Sequence, residues 1–169
     1  QDEGVNSHQD QLFKFIHRAR GEYPDGRIIV HPFLDGRDTP PWSALGYITD
    51  LRQEMETAGG GKIGTFMGRY YGMDRAKNWK LTDQAFRCIV EGIGIQTADP
   101  EFAIKASYEH DKTPSGVSMF DEYILPHVAN GYSGVEDGDS ILYTNYRQDR
   151  AIQLSRAFTD TEYPGTLPR

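Results

Sequence analysis

The sequence is poor in cysteine, in long apolar runs and in positive charge. Cys88 is the single cysteine among 169 residues, so no disulfide can form within the chain, which favours a reducing compartment. No apolar run approaches the roughly 18–20 residues of a membrane span, and no charged-then-apolar leader opens the chain. The 18 basic residues against 25 acidic ones give a net charge of −7, which argues against non-specific nucleic-acid binding. We therefore expect one soluble, cytoplasmic domain with neither a membrane nor a nucleic acid as partner.

Signatures of common catalytic centres are missing as well. The five histidines lack the close spacing of metal ligands, and no serine stands in a Gly-x-Ser-x-Gly turn. The string Gly59-x-Gly61-x-x-Gly64 matches a dinucleotide fingerprint, but it follows a predicted helix and precedes a predicted strand. Pyrophosphate binding at a helix N-terminus requires the reverse order, so we interpret these glycines as a helix stop. Cys88 has no neighbouring base and is predicted to be a core residue.

Helix and strand patterns alternate along the chain. Apolar spacing and capping residues predict helices over about 7–20, 40–58, 81–91, 100–110 and 147–158. Runs of β-branched and other apolar residues predict strands over about 27–34, 62–67, 123–128 and 140–144. The predicted N-caps of the first, second and fourth helices are Ser7, Thr39 and Asp99. The alternation predicts an α/β fold, a three-layer α/β/α sandwich with a mixed, largely parallel sheet.

Polar clusters occupy three predicted strand-to-loop junctions, at 35–38, 68–75 and 145–150. In a sheet covered on both faces, ligands gather beyond the carboxyl ends of the strands, where all three clusters are expected. The clusters contribute five arginines: Arg37, Arg69, Arg75, Arg147 and Arg150. Guanidinium groups match carboxylate and phosphate oxygens in two-point geometry, so converging arginines suit a small, multiply charged anion. Alternatively, each arginine forms a surface ion pair with a neighbouring Asp38, Asp74 or Asp149, and the residues alone leave both interpretations open.

The three clusters belong to longer motifs with a defined order and spacing. The motifs are His-Pro-Phe-Leu-Asp-Gly-Arg-Asp at 31–38, Gly-Arg-Tyr-Tyr-Gly-Met-Asp-Arg at 68–75, Asp-Gly-Asp at 137–139 and Asn-Tyr-Arg-Gln-Asp-Arg at 145–150. They follow an opening Gly-Val-Asn-Ser-His at 4–8. In this combination the sequence resembles the cofactor-independent (2,3-bisphosphoglycerate-independent) phosphoglycerate mutases, and the resemblance covers nearly the whole chain up to about Phe158.

The resemblance implies a division of labour between two domains. In that family an alkaline-phosphatase-like domain carries two manganese ions and a transiently phosphorylated serine, and an inserted transferase domain holds the phosphoglycerate. The chain resembles the transferase domain over residues 1–158, lacking its first strand, with an irregular tail at 159–169. The phosphatase-like domain, its serine and its metal ligands are then absent. We expect no cofactor in this chain, manganese in the full-length enzyme, and the missing phosphatase-like domain as a partner.

The resemblance also implies roles near the glycerate hydroxyls. Arg37 and Asp38 match positions that contact these hydroxyls, and Asp38 is the candidate catalytic residue for proton handling. Asn6 stands where the family has a substrate-contacting histidine. Asparagine can still donate a hydrogen bond, but it cannot carry charge or transfer a proton.

Four further arginines complete the implied substrate pocket. Arg69 and Arg75 match pocket arginines of the family, whereas Arg147 and Arg150 match the pair that binds the carboxylate and the phosphate. None of the implied site residues is a metal ligand.

The function that the resemblance implies is the substrate-binding part of a glycolytic phosphoglycerate mutase. Such an enzyme is an isomerase that interconverts 3-phosphoglycerate and 2-phosphoglycerate through a phosphoserine, which lies outside this chain. We expect the chain to be inactive by itself, because phosphoryl transfer needs the nucleophile and the metals. Two alternatives stay open: a free-standing phospho-acid-binding module or scaffold without catalysis, and a fragment of a related phosphomutase for another phosphorylated substrate.

Overall fold

The computed structural model describes residues 2–167, in which helices cover both faces of a sheet. In chain order the elements are α1 (Gln9–Glu22), β1 (Ile29–Val30), β2 (Phe33–Leu34), α2 (Ala44–Thr57), β3 (Lys62–Ile63), β4 (Thr65–Gly68), α3 (Arg69–Gly72), α4 (Trp79–Glu91), β5 (Ile95–Thr97), α5 (Pro100–His110), a 3-10 turn (Asp121–Tyr123), β6 (His127–Ala129) and α6 (Gln148–Thr159). Among these residues no helix has both the length and the apolar character needed to cross a membrane.

The strands pair in a mixed, largely parallel pattern. Strand β1 pairs with β3, β2 with β4, and β5 with β6, all in parallel, while β4 and β6 run antiparallel. Pro32 lies between β1 and β2 and has no N–H to donate, which explains why the predicted strand at 27–34 is divided in two. The predicted α/β class is confirmed.

Side chains of the central strands alternate between two apolar cores. Phe66 faces the core built with α1, α2 and α5, whereas the next residue, Met67, faces the core built with α4 and α6. Ala129 and Val128 divide in the same way. This period of two places one helical layer on each face, as a three-layer sandwich requires. Cys88 lies in the second core, where burial raises the pKa of its thiol to about 12, so the prediction of a core residue is confirmed.

Only one of the three predicted helix caps is correct. The Asp99 carboxylate accepts hydrogen bonds from the backbone N–H groups of Glu101 and Phe102 and caps α5 as predicted. The prediction of Ser7 for α1 is wrong, because the cap is His8. The prediction of Thr39 is wrong too, because α2 begins later and a carboxylate distant in sequence receives its first N–H groups.

Two predicted strands differ from those observed. The predicted strand at 123–128 begins as the 3-10 turn, and strand pairing starts at His127. The predicted strand at 140–144 is wrong: this segment is irregular, and the side chains of Ile141 and Leu142 are 54% and 56% exposed. Within residues 2–167 this segment pairs with no strand, although Tyr143 packs against Phe33 of β2. Strand β5 has no counterpart in the sequence prediction, because three residues carry too little periodicity.

The described part of the tail has no regular structure, but it is packed. Tyr163 is buried, and its hydroxyl donates to Oδ1 of Asp83 on α4 at 2.9 Å. The backbone N–H and the hydroxyl of Thr166 donate to the other carboxylate oxygen at 2.9 and 2.8 Å. Residues 168 and 169 of the expected tail lie outside the described residues.

Candidate anion-binding site

Two of the polar clusters meet where neighbouring parallel strands end. Leu34 of β2 is in register with Gly68 of β4, so the residues that follow them, Asp35 and Arg69, lie side by side. Nη1 of Arg69 donates to Oδ1 of Asp35 at 2.9 Å and to Oδ2 of Asp38 at 2.6 Å. The Arg69 side chain is only 2% exposed, so this is a buried ionic cluster rather than a surface ion pair.

A tight turn holds Asp38 in place. Oδ1 of Asp35 accepts hydrogen bonds from the backbone N–H groups of Arg37 and Asp38 at 2.9 and 2.8 Å. Gly36, which lies between Asp35 and Arg37, has a φ of 64°, in the left-handed region that favours glycine. The turn therefore fixes the backbone that carries both Arg37 and Asp38.

The Asp38 carboxylate is stabilised in its ionised form. Burial alone would raise its pKa, but the hydrogen bond and charge of Arg69, the amide of Asn6 and the charge of Arg147 together lower it. Its side chain remains 25% exposed. Asp38 is therefore an ionised acceptor that can receive a hydrogen bond from a hydroxyl group.

The N-terminal segment brings the third cluster to the other two. Asn6 is fully buried, and its Nδ2 donates to Oδ2 of Asp38 at 2.9 Å. Its backbone carbonyl accepts from the N–H groups of Tyr146 and Arg147 at 3.0 and 3.3 Å. Backbone pairing with residue 6, rather than a strand end, therefore carries Arg147 into the site.

One carboxylate bridges the second and third clusters. Asp149 accepts from Nη1 of Arg75 at 2.5 Å through one oxygen and from Nε of Arg147 at 2.8 Å through the other. Arg150 reaches the same loop, since its Nη1 donates to the carbonyl of Met73 at 3.1 Å. For Arg147 the predicted pairing with neighbouring Asp149 is thus observed, whereas Arg75 binds Asp149 rather than its neighbour Asp74.

The remaining predicted ion pairs are not formed as expected. Arg37 pairs with Glu122 at 3.4 Å rather than with Asp38. Asp74 accepts instead from the backbone N–H groups of Ala76 and Asn78 and from the amide of Gln153. Pairing with neighbouring aspartates therefore describes only part of the arrangement.

The arginines lie close enough together to affect one another electrostatically. Burial lowers the pKa of this guanidinium, and repulsion from Arg69, Arg75 and Arg37 lowers it further. Arg147 is near enough to Asp38 to lower the pKa of that carboxylate. All five predicted arginines therefore act on one region, and a bound anion would relieve their repulsion.

Comparison with known proteins agrees with the motifs. Residues 1–167 match the family model described as BPG-independent PGAM N-terminus. The chain belongs to this family. The resemblance stated from the sequence is thereby confirmed.

Relatives of this phosphoglycerate mutase domain are much longer than the chain. The chain is 43% identical over 166 residues to the 2,3-bisphosphoglycerate-independent phosphoglycerate mutase of Moorella thermoacetica. The aligned region covers 96% of the chain and 31% of that relative. The corresponding protein of Symbiobacterium thermophilum is 41% identical over 165 residues, with coverages of 97% and 30%. A crystal structure of Leishmania mexicana phosphoglycerate mutase at low cobalt concentration superposes with a TM-score of 0.85 at 28% identity, covering 95% of the chain and 30% of that protein. The chain thus spans less than a third of the length of these relatives.

The mutase domain does not offer a metal centre in its described part. Residues 2–167 contain no group of three or more histidine, cysteine, aspartate or glutamate side chains that could hold a metal ion. The carboxylates of the arginine cluster are instead bound to guanidinium groups. The donor set of this region does not fit manganese.

Sequence reasoning missed two contributions to the candidate anion-binding site. Asp35 lies in a recognised motif but was not a candidate, although it binds Arg69 and forms the turn beneath Asp38. Glu122 pairs with Arg37 from a segment predicted to lead into a strand. The Asp-Gly pair at 35–36 is a turn signal that could have revealed the first role, whereas no local pattern marks the second.

Proposed function

We propose that this domain binds 3-phosphoglycerate and 2-phosphoglycerate and holds them while the phosphate moves between the two hydroxyls. The observation that carries the proposal is the gathering of five arginines from three loops around half-buried Arg150, where Arg69 reaches Asp38 and Arg75 and Arg147 share Asp149. Converging guanidinium groups suit a ligand with both a phosphate and a carboxylate, since each can accept two parallel N–H bonds. The relatives are named as 2,3-bisphosphoglycerate-independent phosphoglycerate mutases, which supports a phosphoglycerate as the ligand.

Unused hydrogen-bond donors support an anionic ligand. Nε of Arg69 and Nε of Arg150 are buried without an acceptor among the described residues. Leaving a charged donor unsatisfied costs more than the roughly 1–3 kcal/mol of a neutral one. The site therefore has more donors than its own carboxylates and carbonyls satisfy, as expected of a site that receives an anion.

The geometry supports distinct roles within this site. Arg147 is the N-cap of α6, and Arg150 lies three residues later in its first turn. We assign to this pair the binding of the carboxylate and the phosphate. Arg37 is exposed at the rim, where it can reach a hydroxyl or phosphate oxygen. Asp38, ionised and partly exposed, accepts a hydrogen bond from the glycerate hydroxyl and is the group nearest to receive its proton.

We further propose that the chemistry needs a second domain. The phosphorylated serine and manganese belong, in this proposal, to the phosphatase-like part of the longer relatives, of which this chain spans less than a third. Phosphoryl transfer requires an in-line nucleophile and neutralisation of the phosphate charge. The arginine cluster supplies binding and part of the neutralisation, and the partner domain supplies the remainder.

The domain proper extends over residues 1–158 in this proposal, and a first strand precedes it. The carbonyl of Asn6 already accepts two N–H groups of residues 146 and 147, so chain preceding residue 2 could continue along the irregular segment at 140–145. Such a strand would cover Ile141 and Leu142, whose side chains are exposed in the described fold.

Calorimetric titration with 3-phosphoglycerate tests the proposed function. We expect saturable binding at pH 7, and weaker binding of glycerate, which lacks the phosphate. In an enolase-coupled assay with manganese, the same chain should show no turnover. A folded chain that binds no phosphoglycerate would instead act as a scaffold, and manganese-dependent turnover by the pure chain would contradict the division of labour.

Replacing Asn6 with histidine is expected to strengthen phosphoglycerate binding more at pH 6 than at pH 8. Imidazolium beside the Asp38 carboxylate and a bound phosphate is stabilised, so its pKa should lie above the unperturbed value of about 6.5. The favourable charge is then present below that raised pKa and is lost as the pH rises through it. Titrations of Asn6→His and of the neutral control Asn6→Gln, each relative to wild type at both pH values, measure this gain. An equal ratio at pH 6 and pH 8 would show that residue 6 does not reach the ligand.

A further inference from the structure

Asp121 is a buried carboxylate that serves an element far from it in sequence. It is 1% exposed, and its Oδ2 accepts hydrogen bonds from the backbone N–H groups of Ser43 and Ala44 at 2.9 and 2.8 Å. The hydroxyl of Tyr108 donates to its other oxygen. Asp121 thus caps the N-terminus of α2, where Ser43 makes no side-chain cap of its own.

The backbone around Asp121 also lies against two of the three segments of the arginine site, at Gly36 and Gly68. A Cβ on Gly36 would come within 2.8 Å of Cβ of Asp121, and a Cβ on Gly68 within 2.6 Å of its carbonyl oxygen. The N–H of Asp121 donates to the carbonyl of Pro41 at 2.9 Å, and the N–H of Gly68 donates to the carbonyl of Ile124 at 2.8 Å. Glycine at positions 36 and 68 is what permits this close approach.

These contacts connect the 35–38 turn with the segment that carries Arg69. Residues 35–38 continue through Pro41 into the helix that Asp121 caps, while Gly68 immediately precedes Arg69. The next residue after Asp121, Glu122, pairs with Arg37. If the cap is lost, the start of α2 and the turn that carries Asp38 lose their attachment to the segment that supports Arg69.

We propose that Asp121 is a positioning residue, which sets the distance between the 35–38 turn and Arg69 and thereby the affinity for the anion. It does not touch the ligand. The inference rests on the proposed function, because ligand affinity is its readout. Its role requires acceptors rather than charge, since it accepts from two backbone N–H groups and from the hydroxyls of Ser43 and Tyr108. Asparagine can accept from the same N–H groups and donate to the Tyr108 oxygen.

A comparison of two capping aspartates tests this proposal. Asp99 caps α5 with hydrogen bonds to Glu101 and Phe102, so Asp99→Ala is a matched control for the loss of a helix cap. At a temperature where circular dichroism shows all variants folded, we expect Asp121→Ala to weaken 3-phosphoglycerate binding at least tenfold. Asp121→Asn should stay within threefold of wild type, and Asp99→Ala should leave affinity unchanged. Unchanged affinity in Asp121→Ala, or equal losses in both alanine variants, would overturn the proposal.

Two further measurements keep the test decisive. If Asp121→Ala does not fold, Tyr108→Phe, which removes one donor to the carboxylate, should still weaken binding at least threefold, and an unchanged affinity would overturn the proposal. If wild type itself binds no phosphoglycerate, the proposed function fails, but amide hydrogen exchange still tests the positioning role. Exchange at residues 36–38 should then be at least tenfold faster in Asp121→Ala than in Asp99→Ala, and equal rates in the two variants would overturn the inference.

Discussion

Replacing Arg69 with methionine is expected to lower the free energy of unfolding by about 3–5 kcal/mol at pH 7, the usual cost of removing one partner of a buried ion pair. Arg69 is 2% exposed and neutralises both Asp35 and Asp38, so the variant keeps two carboxylates near the core without their counter-charge. Urea unfolding measures the loss. Arg52→Met is the matched control: Arg52 pairs with Glu101 but is half-exposed, and the change should cost about 0–1 kcal/mol.

The cost of Arg69→Met is expected to shrink as the pH falls from 7 to 4. In wild type the pKa of Asp38 lies below its usual value, so its contribution to stability is present above the unfolded pKa of about 3.9 and is lost only as the pH falls through the folded value. Without Arg69, burial dominates and raises that pKa, so the variant regains stability on protonation. A loss below 1 kcal/mol at pH 7, or an equal loss at both pH values, would contradict the buried ionic cluster.

Replacing Arg147 with alanine is expected to weaken 3-phosphoglycerate binding by about 1.5–3 kcal/mol, or roughly 10–150-fold, as for the loss of a charged hydrogen bond. Arg147 is partly exposed and shares Asp149 with Arg75, so its removal should leave the fold intact. Calorimetry compares it with Arg18→Ala, which removes an exposed arginine that pairs with Glu22 on α1. An affinity equal to that of the Arg18 variant would remove Arg147 from the site.

Part of the site follows directly from sequence pattern. Strands predicted at 27–34 and 62–67 end in polar clusters, and carboxyl ends of neighbouring parallel strands meet at one sheet edge. The observed register of Leu34 with Gly68 brings Asp35 and Arg69 together in this way. The layer architecture and most helices also follow from the sequence, because the spacing of apolar residues shows which face of each element is buried.

Other parts depend on contacts that no local pattern encodes. The third cluster was expected at the end of a strand at 140–144, but Tyr146 and Arg147 donate hydrogen bonds to the carbonyl of Asn6, 140 positions away from Tyr146. The cap of α2 comes from Asp121, 77 positions from Ala44, rather than from nearby Thr39. Periodicity and propensity describe neighbours along the chain, so long-range hydrogen bonds of this kind become visible only in the folded molecule.

The most direct measurement of the anion site is an NMR titration of the arginine Nε–Hε signals with 3-phosphoglycerate. If the five arginines form one site, signals of Arg37, Arg69, Arg75, Arg147 and Arg150 should shift together along a single binding curve. Arg27, which is held by Glu136 and Asp139 at the surface, should remain unchanged. If these five signals stay unchanged while the signals of Arg27 or other surface arginines shift, the result would contradict the site.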